Sequence, residues 1–253
     1  MIKLSDITLA FGQRELIAHA STEFTCGSLI ALVGRNGTGK STLLRAIAAL
    51  GGIQGGTIEI GGRPISSLSP IELARSIAFV NTERIDVEAM TAHELVAIGR
   101  SPYTDWMGRL TDDDNAIVEE SLRMAGVESL ADRKIDTLSD GECQRVMIAR
   151  ALAQQTPIIL LDEPTAFLDL PNRYELCTLL AELAHHSNRC VIFSTHELDI
   201  ALTLADSIAL VDTPHLTHLP TDEMIASGNI ERLFLGNNVR FDAKNRSIHF
   251  NRE

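Results

Sequence analysis

The hydrophobic positions change rhythm three times along this chain. At the start they alternate with polar ones, in "IKLSDITLAF" and again in "STEFT", the period-two pattern of half-buried strands. "SLIALVG" follows, an apolar run of strand length that ends in glycine. A Gly-rich turn leads into "STLLRAIAAL", which suits a helix. "GGTIEIGGRPI" reads as a hairpin edged by glycines, and "SIAFV" as one more strand. From about residue 84 to 156 the texture is helical. "TAHELVAIGR" predicts one helix. "TDDDNAIVEESLRMAG" predicts a second, capped by Thr111, with acids in its first turn and Val118, Leu122 and Ala125 on one face. Residues 139–154 predict a third. After Pro157 the strands return as "PIILLDEP", "CVIFSTH" and "SIALVD". The helix "NRYELCTLLAELAHH" among them would bury Leu176, Leu179, Leu180 and Leu183. "VRFDAKNRSIHF" reads as a closing hairpin.

Apolar strands alternating with helices imply a parallel sheet covered on both faces. The fold class is therefore α/β, with an antiparallel portion at the start and a helical insertion in the middle. Three segments follow: 1–83, 84–156 and 157–253, the first and last together forming the core.

Composition narrows the partners. The chain has 253 residues and a formal net charge of −12. That acidity opposes nucleic-acid binding, which needs a basic surface, and direct docking on anionic lipid. It leaves docking on the protruding loops of a membrane protein open. No apolar run reaches the roughly 18 residues of a membrane span. The opening "MIKLSDITLAFG" lacks the apolar core and cleavage site of a signal peptide, so the expected location is the cytosol. Cys26, Cys143, Cys177 and Cys190 are scattered with no C-x-x-C pair, and read as plain thiols of a reducing compartment. His215 and His218 form H-x-x-H in what reads as a loop, a weak metal signal.

The strongest chemical signal is "GRNGTGKS", Gly34 to Ser41. It fits G-x-x-x-x-G-K-[ST], with a strand before it and a helix after. In such a loop the backbone N–H groups of Gly34, Arg35, Asn36, Gly37, Thr38 and Gly39 can wrap phosphate oxygens. Lys40 can reach the β and γ phosphates, and the Ser41 hydroxyl can ligate Mg²⁺. Asp162 ends the buried strand "IILLD" and can hold the hydrated cation. Glu163 follows it at the same sheet edge, where an acid can act as general base or orient a water. His196, in "FSTHE", ends a third core strand and can reach the γ-phosphate side. "TLSDGECQR" reads two ways. Ser139 and Glu142 have the capping-box spacing, and a helix start is also an anion site.

Taken together, "GRNGTGKS", "LSDGECQR", "IILLDEP", "AFLD" and "STHE" stand in the order and near the spacing of one family. The chain resembles the nucleotide-binding subunits of ATP-binding-cassette (ABC) transporters over nearly its whole length. The resemblance implies a RecA-like P-loop NTPase core with an antiparallel β subdomain and an inserted α-helical subdomain. It implies an ATPase using ATP and Mg²⁺, with Glu163, His196 and Lys40 catalytic. Phe11 would stack on adenine, and Thr42 would join the phosphate loop. Two copies would meet head to tail, so that Ser139 and Gly141 of one touch the γ-phosphate held by the other, and Asp169 communicates across the pair. Under this reading capping and anion binding share one helix end. Two departures stand out. "LSDGE" replaces the usual "LSGGQ", putting Asp140 and Glu142 at the signature, and Asp140 is expected to point away from nucleotide. Thr82, with Glu83 beside it, stands where the family usually has a Gln that contacts Mg²⁺; the shorter Thr82 hydroxyl would reach the metal through a water, or Glu83 would take the contact over.

"AIGRSPYTDWMGR" resembles the branch importing iron chelates, haem and cobalamin. Of the one Trp and two Tyr in the chain, Trp106 and Tyr103 lie within four positions, beside Met107. Exposed aromatics with Met suit a partner surface, here for a transmembrane permease that works with a substrate-binding protein. Expected location is the cytoplasmic face of the cell membrane. A soluble ABC ATPase of iron–sulfur cluster assembly would share every nucleotide motif.

Overall fold

The computed structural model describes residues 1–82, 89–166, 168–234 and 239–250. Glu83, considered above as a substitute for the usual Gln, lies outside these residues.

Two sheets are built side by side. The first is antiparallel, from β1 (Ile2–Phe11), β2 (Arg14–Phe24), and later β4 (Gly55–Ile60) and the two-residue β5 (Arg63–Pro64), in the order β2-β1-β4-β5. The second starts with β3 (Ser28–Gly34), which runs into the phosphate loop and helix α1 (Lys40–Ile47). Its other members are β6 (Ile77–Val80), β7 (Ile158–Leu161), β8 (Cys190–Thr195), β9 (Ser207–Asp212) and β10 (His215–Pro220), in the order β10-β9-β3-β8-β7-β6. All neighbours in it are parallel except the β9–β10 hairpin.

The unbroken apolar runs are explained by what lies on each face. Leu29, Ala31 and Val33 of β3 join one core with Val191, Phe193, Ile159 and Leu161. The alternate residues Ile30 and Leu32 join a second core with Ile192, Leu160, and Leu43 and Leu44 of α1. The antiparallel sheet packs into that second core through Ile2, Leu4, Ile7 and Leu9. Because strand side chains alternate in direction, a strand covered on both sides is apolar at every position.

The remaining helices cluster by sequence. After α2 (Pro70–Ser76) come α3 (Ala92–Ala97), α4 (Asp112–Met124) and α5 (Asp140–Ala153), which pack on one another. Thr111 caps α4 in a capping box with Asp114. Val118, Leu122 and Ala125 are buried, as the periodicity requires. A buried ion pair ties this group together: Arg100 Nε donates to Asp114 Oδ1 at 2.8 Å, and Nη1 to the Ala153 carbonyl at 2.8 Å. The last turn of α5 is fastened to the sheet by Gln154, whose amide donates to the Ile77 carbonyl at 2.8 Å. Helix α5 therefore delivers the chain directly into β7.

Helix α6 (Leu170–His186) is longer than its apolar stripe predicts, starting at Asp169 as cap. Leu176, Leu180 and Leu183 are buried with Cys177 and Ala184, whereas Leu179 is half-buried. Helices α7 (Leu198–Leu204), α8 (Thr221–Ala226) and α9 (Asn229–Arg232) follow, then the hairpin β11 (Val239–Asp242) and β12 (Ser247–Phe250).

Two readings are corrected. His215 and His218 lie in strand β10, not a loop. His218 bonds the Thr22 hydroxyl at 3.0 Å and the Ser207 hydroxyl at 2.9 Å, joining the two sheets. Tyr103 is half-buried and not an exposed aromatic. Its hydroxyl donates to the Gln154 carbonyl at 3.1 Å, and its ring lies against the guanidiniums of Arg75 and Arg100, at 5.0 and 4.2 Å. Trp106 alone of the pair stands out, 92% exposed, beside the exposed Met107. No helix among the described residues is long and apolar enough to cross a membrane.

Candidate active site

The site lies at the carboxyl edge of the parallel sheet, where open α/β sheets place their ligands. β3 ends at Gly34, and the loop from Arg35 to Gly39 arches over the start of α1. Two glycines are required by geometry. A Cβ on Gly34 would come within 2.6 Å of the Val211 carbonyl oxygen. Gly39 has φ +108°, which L side chains rarely adopt, and a Cβ there would press on Leu16 at 3.0 Å. The arch is braced internally. Thr38 Oγ1 donates to the Arg35 carbonyl at 2.9 Å, and Thr213 Oγ1 donates to the Thr38 carbonyl at 3.2 Å. The Arg35 side chain turns away, its Nε donating to the Leu233 carbonyl at 2.9 Å.

Lys40 is buried beneath the arch. Its ammonium donates to the Gly34 carbonyl at 2.9 Å and to that of Arg35 at 3.3 Å. Burial pushes its pKa down, and the nearby carboxylates of Glu163 and Asp162 push it back up. A positive charge set into a ring of backbone groups is suited to a polyphosphate.

A cavity of about 470 Å³ opens beside this loop. It is lined by Asn36, Gly37, Gly39, Lys40, Ser41, Thr42 and Glu163 on one side, and by Phe11, Arg14 and Leu16 on the other. Phe11 and Arg14 face each other across the tip of the β1–β2 hairpin. Phe11 is 78% exposed there, a ring free to cover a flat ligand. Arg14 and Leu16 were not anticipated. The available signal was the short turn after Phe11, which brings Arg14 opposite it.

The acids meet the loop from β7. Ser41 Oγ donates to Asp162 Oδ1 at 3.0 Å, and Ser194 Oγ donates to the same oxygen at 2.6 Å. A hydroxyl and a carboxylate in contact are hard oxygen donors of the kind Mg²⁺ takes. Glu163 follows with φ +45°, in the left-handed region. His196 Nδ1 lies 3.7 Å from Glu163 Oε1. Thr82 Oγ1 donates to the Asp162 carbonyl at 3.0 Å, so Thr82 touches the main chain of the acid and not its carboxylate.

Not every candidate comes to this cavity. Ser139 and Gly141 open α5, where Ser139 and Glu142 form a complete capping box. Ser139 N donates to Glu142 Oε2 at 2.8 Å, and Glu142 N donates to Ser139 Oγ at 3.3 Å. The Ser139 N–H and hydroxyl hold the Glu142 carboxyl below its ordinary range, helped by Arg133. Asp169 caps α6, accepting from Asn172 N at 3.1 Å. None of the three lines the cavity formed by the phosphate loop.

Comparison with known proteins agrees with this geometry. The sequence pattern of the ABC transporter family matches residues 17–166. The achromobactin transport ATP-binding protein CbrD of Dickeya dadantii is 37% identical over 206 residues, covering 81% of this chain and 77% of that protein. The hemin import ATP-binding protein HmuV of Nocardia farcinica is 39% identical over 200 residues, covering 79% of this chain and 68% of that protein. A dimeric, post-hydrolysis structure of the ATP-binding cassette MJ0796, bound to ADP and Pi, matches with a TM-score of 0.76 at 27% identity, covering 87% of this chain and 99% of that one. The glycine arch, the buried lysine and the neighbouring acids lie in a chain that is an ATPase and belongs to the ABC transporter family.

Proposed function

We propose that this chain is the ATP-hydrolysing subunit of an importer for an iron chelate such as a siderophore, for haem or for cobalamin. The observation that carries it is the meeting of Lys40, Ser41, Asp162 and Glu163 at one sheet edge. Its cargo class follows the relatives named for achromobactin and hemin.

In this reading Phe11 covers the adenine, and backbone N–H groups from Gly34 to Gly39, with Thr42, cradle the phosphates. Lys40 leaves its loop carbonyls for the β and γ phosphates. Ser41 and Asp162 are the residues that would hold Mg²⁺, with Thr82 behind them. When bound, Mg²⁺ neutralises charge shared by the β and γ phosphates. Glu163 accepts a proton from the water that attacks the γ-phosphorus, the bond from that phosphorus to the β–γ bridging oxygen breaks, and ADP and phosphate result. His196, beside Glu163, steers the γ-phosphate and the water. Positioning and fixed charge supply most of the rate.

Ser139, Gly141 and Asp169 would act on the partner's nucleotide in a head-to-tail homodimer, which accounts for their absence from the cavity of their own protomer. Residues 84–156 would form the subdomain that passes closure to the permease, with Trp106 and Met107 as contact points. Segments 1–83 and 157–253 would form the nucleotide-binding core. A substrate-binding protein would deliver the cargo from the far side, with this subunit peripheral on the cytoplasmic face. Nucleic acid is not a partner.

The test is uptake in cells lacking this gene, with radiolabelled ferric siderophore, haem and cobalamin offered separately. One cargo should be lost, restored by the wild-type chain and not by Lys40→Ala. Unchanged uptake of all three would remove the cargo assignment.

A further inference from the structure

The peptide unit that joins Asp162 to Glu163 is held at both of its polar ends by hydroxyls from the two strands that flank β7. Its carbonyl accepts from Thr82 Oγ1 at 3.0 Å, just beyond the end of β6. Its N–H donates to Ser194 Oγ at 2.8 Å, near the end of β8. Ser194 is fully buried and spends its own proton on Asp162 Oδ1 at 2.6 Å. The preceding N–H, of Asp162, is fixed by the Val80 carbonyl at 2.8 Å. Past this point the regular ladder stops, because Glu163 turns into the left-handed region with φ +45°. A non-glycine residue holds that conformation only when its surroundings impose it. The plane of the Asp162–Glu163 peptide sets the direction in which the Glu163 side chain leaves the strand. Both of its ends are tied, and each tie comes from a side chain.

We infer that Thr82 and Ser194 are a pair of positioning residues, a hydroxyl clamp that fixes the Asp162–Glu163 peptide and so aims the Glu163 carboxylate. This rests on the reading of Glu163 as the base. It gives Thr82, which stands where the family usually carries a Gln, a role through the main chain. It also assigns a role to Ser194, a fully buried hydroxyl near the end of β8. Removing either hydroxyl leaves one end of the peptide without its partner and lets the plane rotate about the remaining tie. A mis-aimed base lowers turnover while the phosphate cradle still binds nucleotide, since Lys40, Ser41 and the glycine loop are untouched; Thr82→Val is the cleaner probe, because Ser194→Ala also takes a donor from Asp162 Oδ1.

The test uses the full chain with Mg-ATP. Thr82→Val and Ser194→Ala should each lower kcat by about ten- to a hundredfold, with KM for ATP and equilibrium ATP affinity within about threefold of wild type. The double variant should lose little more than either single one, because both act on one peptide unit. Thr82→Ser, which keeps the hydroxyl, should restore kcat to within about threefold. Independently of activity, the Glu163 amide should exchange its hydrogen with solvent at least tenfold faster in Ser194→Ala. Wild-type turnover in both single variants, or a loss of ATP affinity matching the loss of kcat, overturns the clamp. Glu163→Gln is run alongside. If it keeps wild-type turnover, the reading of Glu163 fails. If it is inactive while Thr82→Val and Ser194→Ala are normal, only the clamp fails.

Discussion

The Ser41 hydroxyl donates to Asp162 Oδ1 at 3.0 Å, joining residues 121 positions apart in sequence. One opens α1 beneath the phosphate loop and the other ends β7. The contact exists because β8 alone separates β3 from β7, so their carboxyl ends stand two strands apart. Asp162 Oδ1 also accepts a hydrogen bond from the Ser194 hydroxyl, so its carboxylate is fixed on one oxygen by two donors.

Asp162→Asn tests charge against shape. The amide oxygen of Asn can accept both hydroxyls, so the fold should hold, with a melting temperature within a few degrees of wild type. ATP turnover should fall by about two orders of magnitude, the usual scale for one lost electrostatic group in an active site. Steady-state phosphate release and a thermal melt on the same sample check both halves.

How legible this site was in the sequence depends on the distance over which each contact is made. The phosphate loop is a continuous segment, and Ser139 meets Glu142 within one helical turn, so spacing alone indicates both. The hydroxyls of Thr82 and Ser194 reach Asp162 and Glu163 only because β6 and β8 flank β7, and strand order is not written in any local pattern. Tyr103 misled for the same reason. Its neighbours Arg75 and Gln154 are 28 and 51 positions away, and only the folded chain shows them closing over the ring. His218 reads as part of a loop until β10 pairs with β9 and places it against Ser207.

The Arg100–Asp114 pair makes a pH prediction. The Asp114 carboxyl is held down at about 2, first by the Thr111 N–H and hydroxyl and then by Arg100. An aspartate in the unfolded chain titrates near 3.9. The folded value is the lower one, so this carboxylate stabilises the fold above about pH 4. The contribution fades as pH falls towards 2. Asp114→Asn should therefore melt below wild type at pH 7, and the gap should narrow between about pH 4 and 2. Arg100→Met leaves a buried carboxylate without its partner and should cost about 3–5 kcal/mol, on the order of 10 °C in a protein of this size. Melting temperatures measured across pH for the three proteins decide it.

Tyr103 and Trp106, only three positions apart, should respond in opposite ways. Tyr103→Phe removes the donor to the Gln154 carbonyl and should cost about 1 kcal/mol of stability. Trp106→Ala removes a side chain that is 92% exposed, and should change stability by no more than about 0.5 kcal/mol. ATP turnover of the isolated chain should be unaffected by Trp106→Ala. Co-purification with a membrane-embedded partner from detergent-solubilised cells should drop severalfold in that variant alone. Equal recovery of the partner with Trp106→Ala would take Trp106 out of the interface.

The start of α5 separates capping from contact with a partner's nucleotide. Ser139→Ala removes the acceptor for Glu142 N and should cost about 1 kcal/mol, a loss visible in a melt of the monomer. If Ser139 also touches the γ-phosphate held by a second copy, the ATP-induced dimer should weaken far more than this. Asp140 occupies the exposed first turn of the same helix, where its charge suits the positive end of the dipole. If it points away from the nucleotide held by the second copy, it should not repel the γ-phosphate. Asp140→Gly should then leave dimerisation intact or tighten it. Both variants are made in the Glu163→Gln background, in which ATP persists, and dimer is measured against ATP concentration by light scattering. Loss of the dimer in Ser139→Ala with retention in Asp140→Gly is the expected pair of results. A large loss in Asp140→Gly would mean that its carboxylate makes a contact the closed dimer needs.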